Sequence, residues 1–343
     1  MPPNPSLARP APELVAVHAA LIAVRQAAQV LCDRASLLVI LHAHVGAVRY
    51  AEFSEQTGLP SRLLSSRLAQ LTEDGLLVRI PYSRRPLRHA YHLTHMGTAL
   101  FDVLGLLVTW EQTWPDRAGT NTVVQVVHFG CQGVQVGNGA MTTVRMHCRA
   151  CGERVNAREI SLRVSQTEMA KMPAKSTATR RSSHDVSVRS GDLNAVLPQA
   201  LAVLGDKWSI EVLVCAFFGL RQFGDFGARM GISTNILSDR LTRLVDAGLM
   251  RRSAEDESHR KGLYLLTPKG QDFYAILIAI QSWADAWIDH RVRSPVKLRH
   301  IPCQKTLEPQ LKCAACGQPL THVQARITMR TSPQESPRTS AAP

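Results

Sequence analysis

Gly58-Leu-Pro-Ser-Arg-Leu-Leu-Ser-Ser-Arg-Leu-Ala-Gln-Leu-Thr-Glu-Asp-Gly-Leu-Leu-Val-Arg79 returns further along the chain as Gly231-Ile-Ser-Thr-Asn-Ile-Leu-Ser-Asp-Arg-Leu-Thr-Arg-Leu-Val-Asp-Ala-Gly-Leu-Met-Arg-Arg252. Leu64, Ser65, Arg67, Leu68, Leu71, Gly75 and Leu76 recur as Leu237, Ser238, Arg240, Leu241, Leu244, Gly248 and Leu249. The offset of 173 residues holds without a gap from Asp33/Asp206 to Trp114/Trp287. A repeat of this length is a duplicated domain, because each copy can enclose its own core.

Within each copy, three leucines at i, i+4 and i+7 draw the narrow apolar stripe of a helix. A Gly supplies the turn before it, and Gly75-Leu76 or Gly248-Leu249 ends it just ahead of a strand. Residues 13–44 are helical in character, 49–57 read as a short helix, 61–74 as a second, 77–94 as a hairpin and 97–114 as a closing helix. The second copy follows with helices near 195–218, 223–230, 234–247 and 270–289 and a hairpin at 250–267. This is the order of a winged helix-turn-helix, so the chain is expected to be mainly α with small β (α+β). Its expected parts are winged helix-turn-helix domains at 13–118 and 193–292, zinc-ribbon-like segments at 123–160 and 297–328, a Ser/Thr/Lys/Arg-rich linker at 164–192 and a disordered tail at 329–343. Residues 1–12 are Pro-rich.

The chain has 343 residues and a formal net charge of +13. That excess favours a polyanionic partner, and the repeat independently suggests double-stranded DNA. No apolar run approaches the ~20 residues of a membrane span. Met1-Pro-Pro-Asn-Pro5 lacks the charged start and apolar core of a signal peptide, so a cytoplasmic location is expected.

On the helix 61–74, Arg62, Ser65, Ser66 and Ala69 lie opposite the leucine stripe. Small hydrogen-bonding side chains suit a helix entering a major groove. Ser61 and Thr234 are expected as N-caps, where free backbone N–H groups can hold a phosphate. The expected DNA-binding set is Ser61, Arg62, Ser65, Ser66 and Arg67 in the first copy. Ser233, Thr234, Asn235, Ser238, Asp239 and Arg240 form the set in the second. The hairpin tips add Arg84, Arg85, Arg88 and His89, and then His259, Arg260 and Lys261. A guanidinium there can pair with a phosphate or enter the minor groove.

Leu204-Gly-Asp-Lys-Trp208, Arg221-Gln-Phe-Gly-Asp-Phe226, Gly231-Ile-Ser233, Leu237-Ser-Asp-Arg-Leu241, Ala247-Gly-Leu249 and Leu266-Thr-Pro-Lys-Gly270 resemble the HxlR family of bacterial winged-helix regulators. The resemblance covers residues 190–290 well and 15–115 more loosely. It implies a DNA-binding transcriptional regulator, usually a homodimer built through terminal helices. The helix matching 234–247 would read the major groove and the hairpin matching 253–263 would be the wing. Two departures stand out. Arg34-Ala35 replaces the family's Lys-Trp in the first copy. Many members also carry a redox-sensitive Cys about a dozen residues before that Trp, where this chain has Ile22 and Ala195, so thiol sensing of that kind is not implied. Cys32 and Cys215 lie in apolar helices and read as buried, inert thiols.

The copies differ in charge. Residues 58–92 hold six basic and two acidic side chains, whereas 231–265 hold six basic and five acidic ones. On the reading face Arg62 becomes Asn235 and Ser66 becomes Asp239, which repels phosphate but can accept from a cytosine amino group. The first copy is therefore expected to supply more non-specific affinity and the second to read a different half-site. Trp110/Trp114 and Trp283/Trp287 sit at i and i+4 and read either as an interface between units or as packing within each. An intramolecular pseudo-dimer would place its recognition helices on half-sites about one helical turn apart, and further homodimerisation is left open.

Six of the eight cysteines fall into two groups: His128-x2-Cys131 with Cys148-x2-Cys151-Gly152, and His300-x2-Cys303 with Cys313-x2-Cys316-Gly317. Two-residue spacing lets both members of a pair reach one tetrahedral ion. Each group is expected to bind one structural zinc, up to two per chain, through His128, Cys131, Cys148 and Cys151 and through His300, Cys303, Cys313 and Cys316. The alternative is a metal-responsive or protein-interaction adaptor with reduced DNA binding. No phosphate-binding Gly loop, nucleophile elbow or carboxylate-rich helix points to an enzyme.

Overall fold

Leu37-Leu-Val-Ile-Leu41 is apolar on every side, and it occupies the middle of a helix that is buried all round, α1 (Arg34–Val45). The computed structural model describes residues 33–115, 122–131, 134–136, 139–164, 196–253, 262–288 and 296–331, together with Leu21 and Leu31. After α1 come α2 (Tyr50–Thr57) and α3 (Ser61–Glu73), separated by a turn on Gly58. The hairpin of β1 (Leu77–Arg84) and β2 (Leu87–Leu93) follows, paired from Leu77↔Leu93 to Arg84↔Leu87 with an irregularity between Pro81 and Ser83. A short helix, α4 (His95–Thr98), precedes the closing helix α5 (Phe101–Thr113).

The intervening strands are β3 (Thr122–Phe129), β4 (Val134–Val136), β5 (Gly139–Thr142), β6 (Val144–Cys148) and β7 (Ile160–Val164). The second copy contains α6 (Pro198–Leu204), α7 (Lys207–Phe217), α8 (Phe223–Met230), α9 (Thr234–Asp246), β8 (Met250–Arg252), β9 (Tyr264–Leu266), α10 (Pro268–Asp272) and α11 (Tyr274–Trp287). The chain continues through β10 (Val296–His300), β11 (Pro309–Cys313) and β12 (Ala325–Thr331).

Several boundaries differ from expectation, each for a local reason. The helix expected over 195–218 is two helices, because Asp206 adopts extended backbone and its carboxylate accepts from Ser209 N at 3.0 Å, capping α7. Each closing helix starts later than expected. Thr94 Oγ1 accepts from Gly97 N, and Thr267 Oγ1 accepts from Gly270 N, so a separate short turn is capped first. Neither Ser61 nor Thr234 is an N-cap. Those positions fall to Pro60, which offers no side-chain bond, and to Ser233, whose Oγ accepts from Ile236 N at 3.5 Å. Residues 329–331, expected in the tail, extend β12, where Met329 pairs with Val124.

The two copies superpose in their internal bonds as well as in sequence. Phe53, Leu64, Leu68 and Leu71 are buried in one core, as Phe226, Leu237, Leu241 and Leu244 are in the other. Tyr91 N donates to Val48 O at 2.7 Å, and Tyr264 N to Arg221 O at 2.8 Å, tying each hairpin to the loop before the helix-turn-helix.

The described residues divide into two units, and neither follows one half of the chain. One unit contains the first winged helix, 35–145, together with 196–201 and 311–331 from the second half. Its sheet has the order β12-β3-β5-β4, so the last strand of the chain lies against β3. Glu111 on α5 accepts from Gln199 N at 3.2 Å and Ala200 N at 2.8 Å, holding the start of α6. The other unit contains the second winged helix with Leu21, Leu31, 146–164, 202–253, 262–288 and 296–310. There β10 pairs antiparallel with β7 from Val296↔Val164 to His300↔Ile160. The expectation of a self-contained ribbon after each winged helix is therefore corrected: each half lends strands to the other half's unit.

Candidate nucleic-acid interface and metal clusters

The leucine stripes do what their spacing predicts. Leu64, Leu68 and Leu71 on α3, and Leu237, Leu241 and Leu244 on α9, are essentially inaccessible to water. The faces opposite are open. Ser61, Arg62, Ser65, Ser66 and Ala69 are exposed on α3, as are Thr234, Asn235, Ser238 and Asp239 on α9, with Ser233 exposed at its cap. The exits of both helices are locked alike. Thr94 Oγ1 donates to Gly75 O at 2.6 Å, and Thr267 Oγ1 donates to Gly248 O at 2.6 Å. A side chain at Gly97 or Gly270 would run into the carbonyl oxygen of Leu76 or Leu249, so only glycine permits this approach of hairpin end to helix end.

Arg67 and Arg240 stand apart from the rest of the expected DNA-binding set, since both are half-buried. Arg240 Nε pairs with Asp206 at 2.7 Å, and its Nη1 pairs with Asp239. Asp239 also receives Arg243 Nε at 3.0 Å. Arg240 thus ties α9 to the capped start of α7, and Asp239 is paired with two guanidinium groups.

On the first hairpin Arg84, Arg85 and Arg88 are exposed, and Arg79 Nη2 donates to His89 Nδ1 at 3.1 Å. His259, Arg260 and Lys261 lie outside the described residues, as does Cys32. Cys215 is buried, as its apolar helix predicts. Trp110 and Trp283 are buried as well.

Three further groups escaped the sequence reading. Tyr50 Oη donates to Ser61 O at 3.1 Å and accepts from Ser65 Oγ at 3.4 Å, latching α2 to α3. The repeat puts Phe223 in its place, so the latch belongs to one copy only. Exposed Arg49 lies over the Tyr82 ring at 5.1 Å, adding a cation beside the first hairpin. Lys269 Nζ donates to Ala247 O at 2.7 Å, satisfying a free carbonyl at the end of α9. Aligning the two copies exposes the first of these, because a phenol faces a phenyl ring. The others depend on side-chain directions that spacing does not report.

All eight expected metal ligands gather into two clusters, but not in the expected groups. One cluster is His128, Cys131, Cys313 and Cys316, and the other is Cys148, Cys151, His300 and Cys303, with ligand atoms within 4.8 Å of one another in each. The His-x2-Cys of each half therefore meets the Cys-x2-Cys of the other, and the grouping expected from sequence is corrected. Sheet register is the cause. His128 stands opposite Ala325, nine residues past Cys316. His300 stands opposite Ile160, nine residues past Cys151. Both knuckles share one turn. Gly152 N donates to Cys148 O at 2.7 Å and Gly317 N to Cys313 O at 2.9 Å, and both glycines have positive φ, 80° and 72°.

The donor chemistry fits a tetrahedral ion. Cys131 Sγ and Cys313 Sγ are 3.9 Å apart, close to the edge of ~3.8 Å expected around zinc with bonds of ~2.3 Å and well beyond a disulfide's ~2.0 Å. His300 Nδ1 lies 3.3 Å from Cys151 Sγ and 3.5 Å from Cys303 Sγ, and His128 Nδ1 lies 3.6 Å from Cys316 Sγ. Burial pushes the Cys313 thiol up, but hydrogen bonds from Thr142 Oγ1, from the Cys316 and Ala315 backbone and from His128 outweigh it and bring it down to about 6. The Lys305 backbone N–H leads the groups that hold Cys303 below its ordinary value. Each cluster can hold a metal ion through three thiolates and one imidazole, with no position left over for a reacting molecule.

A family model described as HxlR-like helix-turn-helix matches residues 30–118 and again 203–292. The chain belongs to the HxlR-like helix-turn-helix family. Among its HxlR-like relatives, an uncharacterized HTH-type transcriptional regulator of Mycobacterium tuberculosis is 36% identical over 126 residues, spanning 36% of this chain and 78% of its own length. YvaP of Bacillus subtilis, also an uncharacterized HTH-type transcriptional regulator, is 32% identical over 92 residues, spanning 26% of this chain and 85% of its own. Among solved structures, PA1607, described as a candidate transcription factor, is 35% identical with a TM-score of 0.33, covering 37% of this chain and 87% of that one. The family is one of transcriptional regulators and not of enzymes. Both HxlR-like matches stop before the Cys/His clusters begin, at 118 and 292. No helix among the described residues is long and apolar enough to cross a membrane.

Proposed function

We propose that this chain is a sequence-specific transcriptional regulator that sets α3 and α9 into the major groove of double-stranded DNA. The hairpin wings then lie on the backbone or in the minor groove. The observation that carries this reading is the twofold occurrence of an exposed Ser/Thr/Asn/Arg face backed by a buried leucine triad. Such a face offers the hydrogen-bonding groups that base edges require, on a helix held rigid from behind. Arg62, Arg84, Arg85 and Arg88 supply phosphate contacts in the first copy, joined by Arg49. Ser233, Thr234, Asn235 and Ser238 supply base and backbone contacts in the second. Arg240 acts as a positioning residue through Asp206, and Asp239 becomes available to a cytosine amino group when Arg243 turns to a phosphate. The Cys/His clusters are structural zinc sites, up to two per chain. Two recognition helices on one chain do the work of a pair of single-copy protomers.

The test is a mobility-shift titration on the DNA upstream of the chain's own coding region, repeated across salt concentrations and against unrelated DNA. Selective, salt-sensitive binding is expected. Equal binding to both DNAs, or none at low salt, would overturn the reading and favour a protein-interaction adaptor.

A further inference from the structure

Neither half of this chain can complete a four-ligand cluster in the arrangement observed. The first half contributes His128 and Cys131 to one cluster and Cys148 and Cys151 to the other, and the second half supplies the complement of each. The same exchange runs through the backbone, because β12 of the second half pairs with β3, and β7 of the first half pairs with β10. It also runs through the core. The nearest atoms around Gly105 on α5 belong to Val144, Leu311 and Val126, so a second-half leucine packs on the first winged helix. We propose that each cluster binds one zinc ion that fastens a strand and knuckle from one half of the chain to the winged helix of the other. The inference rests on reading the clusters as zinc sites, and adds which residues share an ion and what the ion joins.

The chemistry is simple coordination. Three thiols release their protons to solvent as the ion binds, and the neutral imidazole supplies the fourth ligand. Four protein ligands leave no open coordination position, so the ion serves assembly rather than catalysis. The ligand pairs are identical in both halves, so ligand identity would equally permit each half to close its own site. The strand register forbids it, because His128 faces the start of β12 and His300 faces the start of β7. Zinc therefore makes the two halves interdependent.

The test counts zinc in the purified full chain and in two fourfold variants. The first carries His128→Ala, Cys131→Ser, Cys313→Ser and Cys316→Ser. The second carries His128→Ala, Cys131→Ser, Cys148→Ser and Cys151→Ser. The unaltered chain is expected to hold two zinc ions, the first variant one and the second none. If each half closed its own site, the first variant would hold none and the second one, and the inference would be overturned while the zinc reading stood. Zinc-free native chain, or iron in zinc's place, would overturn both. Should the variants fail to fold by circular dichroism, NMR of the native chain loaded with spin-active cadmium decides the matter. The β-protons of Cys131 and Cys313 are expected to couple to one cadmium signal, and those of Cys148 and Cys303 to the other. Coupling of Cys131 and Cys148 to a common signal would refute the exchange. DNA binding is measured separately, so its absence would leave this inference intact.

Discussion

Gly97 and Gly270 show how little room the fold leaves at single positions. A methyl group at either would strike the carbonyl oxygen of Leu76 or Leu249, just past the end of α3 or α9, and backbone cannot step aside as a flexible side chain can. Gly97→Ala and Gly270→Ala are each expected to destabilise the protein by roughly 1–3 kcal/mol, measured by urea unfolding. His44 makes a second residue-scale prediction. Burial holds its imidazole at about 4, against an ordinary 6.5, despite a hydrogen bond from Nε2 to Gly97 O at 3.1 Å and with a small further push from His322. The unfolded chain therefore takes up a proton between these values that the folded chain refuses. The stability it contributes is complete above pH 6.5 and is lost as the pH falls toward 4. His42 shifts in the same direction, chiefly by burial. His44→Gln should thus flatten, without abolishing, the fall in unfolding midpoint between pH 7 and pH 5. An unchanged slope would refute it. Nothing in the spacing of residues announces His44, because its environment is made by Gly97, far along the chain.

At the scale of elements, α3 and α9 were legible almost to the residue. Leucines at i, i+4 and i+7 specify the buried side, and everything else on the helix follows by elimination. The caps were less legible, since Pro60 and Ser233 took positions assigned to Ser61 and Thr234. A helix start depends on the backbone angle of one residue, which composition barely constrains. The role of Arg240 was also hidden, because its partner Asp206 starts a different helix. That difference separates two classes of arginine. Replacing Arg84 and Arg85 by Ala should weaken DNA binding uniformly and reduce the slope of log affinity against log salt by up to about 2. Arg240→Ala should lower stability and selectivity while leaving that slope nearly unchanged. Replacing Arg260 and Lys261 should flatten the slope less than replacing Arg84 and Arg85, because five acidic residues offset the second copy's charge. Equal slopes for the two double variants would count against the asymmetry.

For the whole molecule, the proposed reading of DNA by both α3 and α9 predicts avidity. Ser66→Asp places a carboxylate on the exposed face of α3 and should cost one half-site its protection in a footprint. Overall affinity should fall on the order of a hundredfold, because the second contact is intramolecular when both copies engage. Full protection of both half-sites by the variant would show that the copies do not read DNA together.

The sequence by itself determined that there are two winged helices, which sides of α3 and α9 are buried, and which eight side chains can meet a metal. Those properties follow from periodicity and from ligand identity, both local. Only the tertiary structure decided which Cys-x2-Cys closes which His-x2-Cys. The two His-x2-Cys pairs are chemically equivalent, as are the two Cys-x2-Cys pairs, so spacing admits either combination. The choice is made by two antiparallel ladders between strands far apart in the chain, β12 on β3 and β7 on β10, each bringing a histidine to the strand that follows the other half's knuckle.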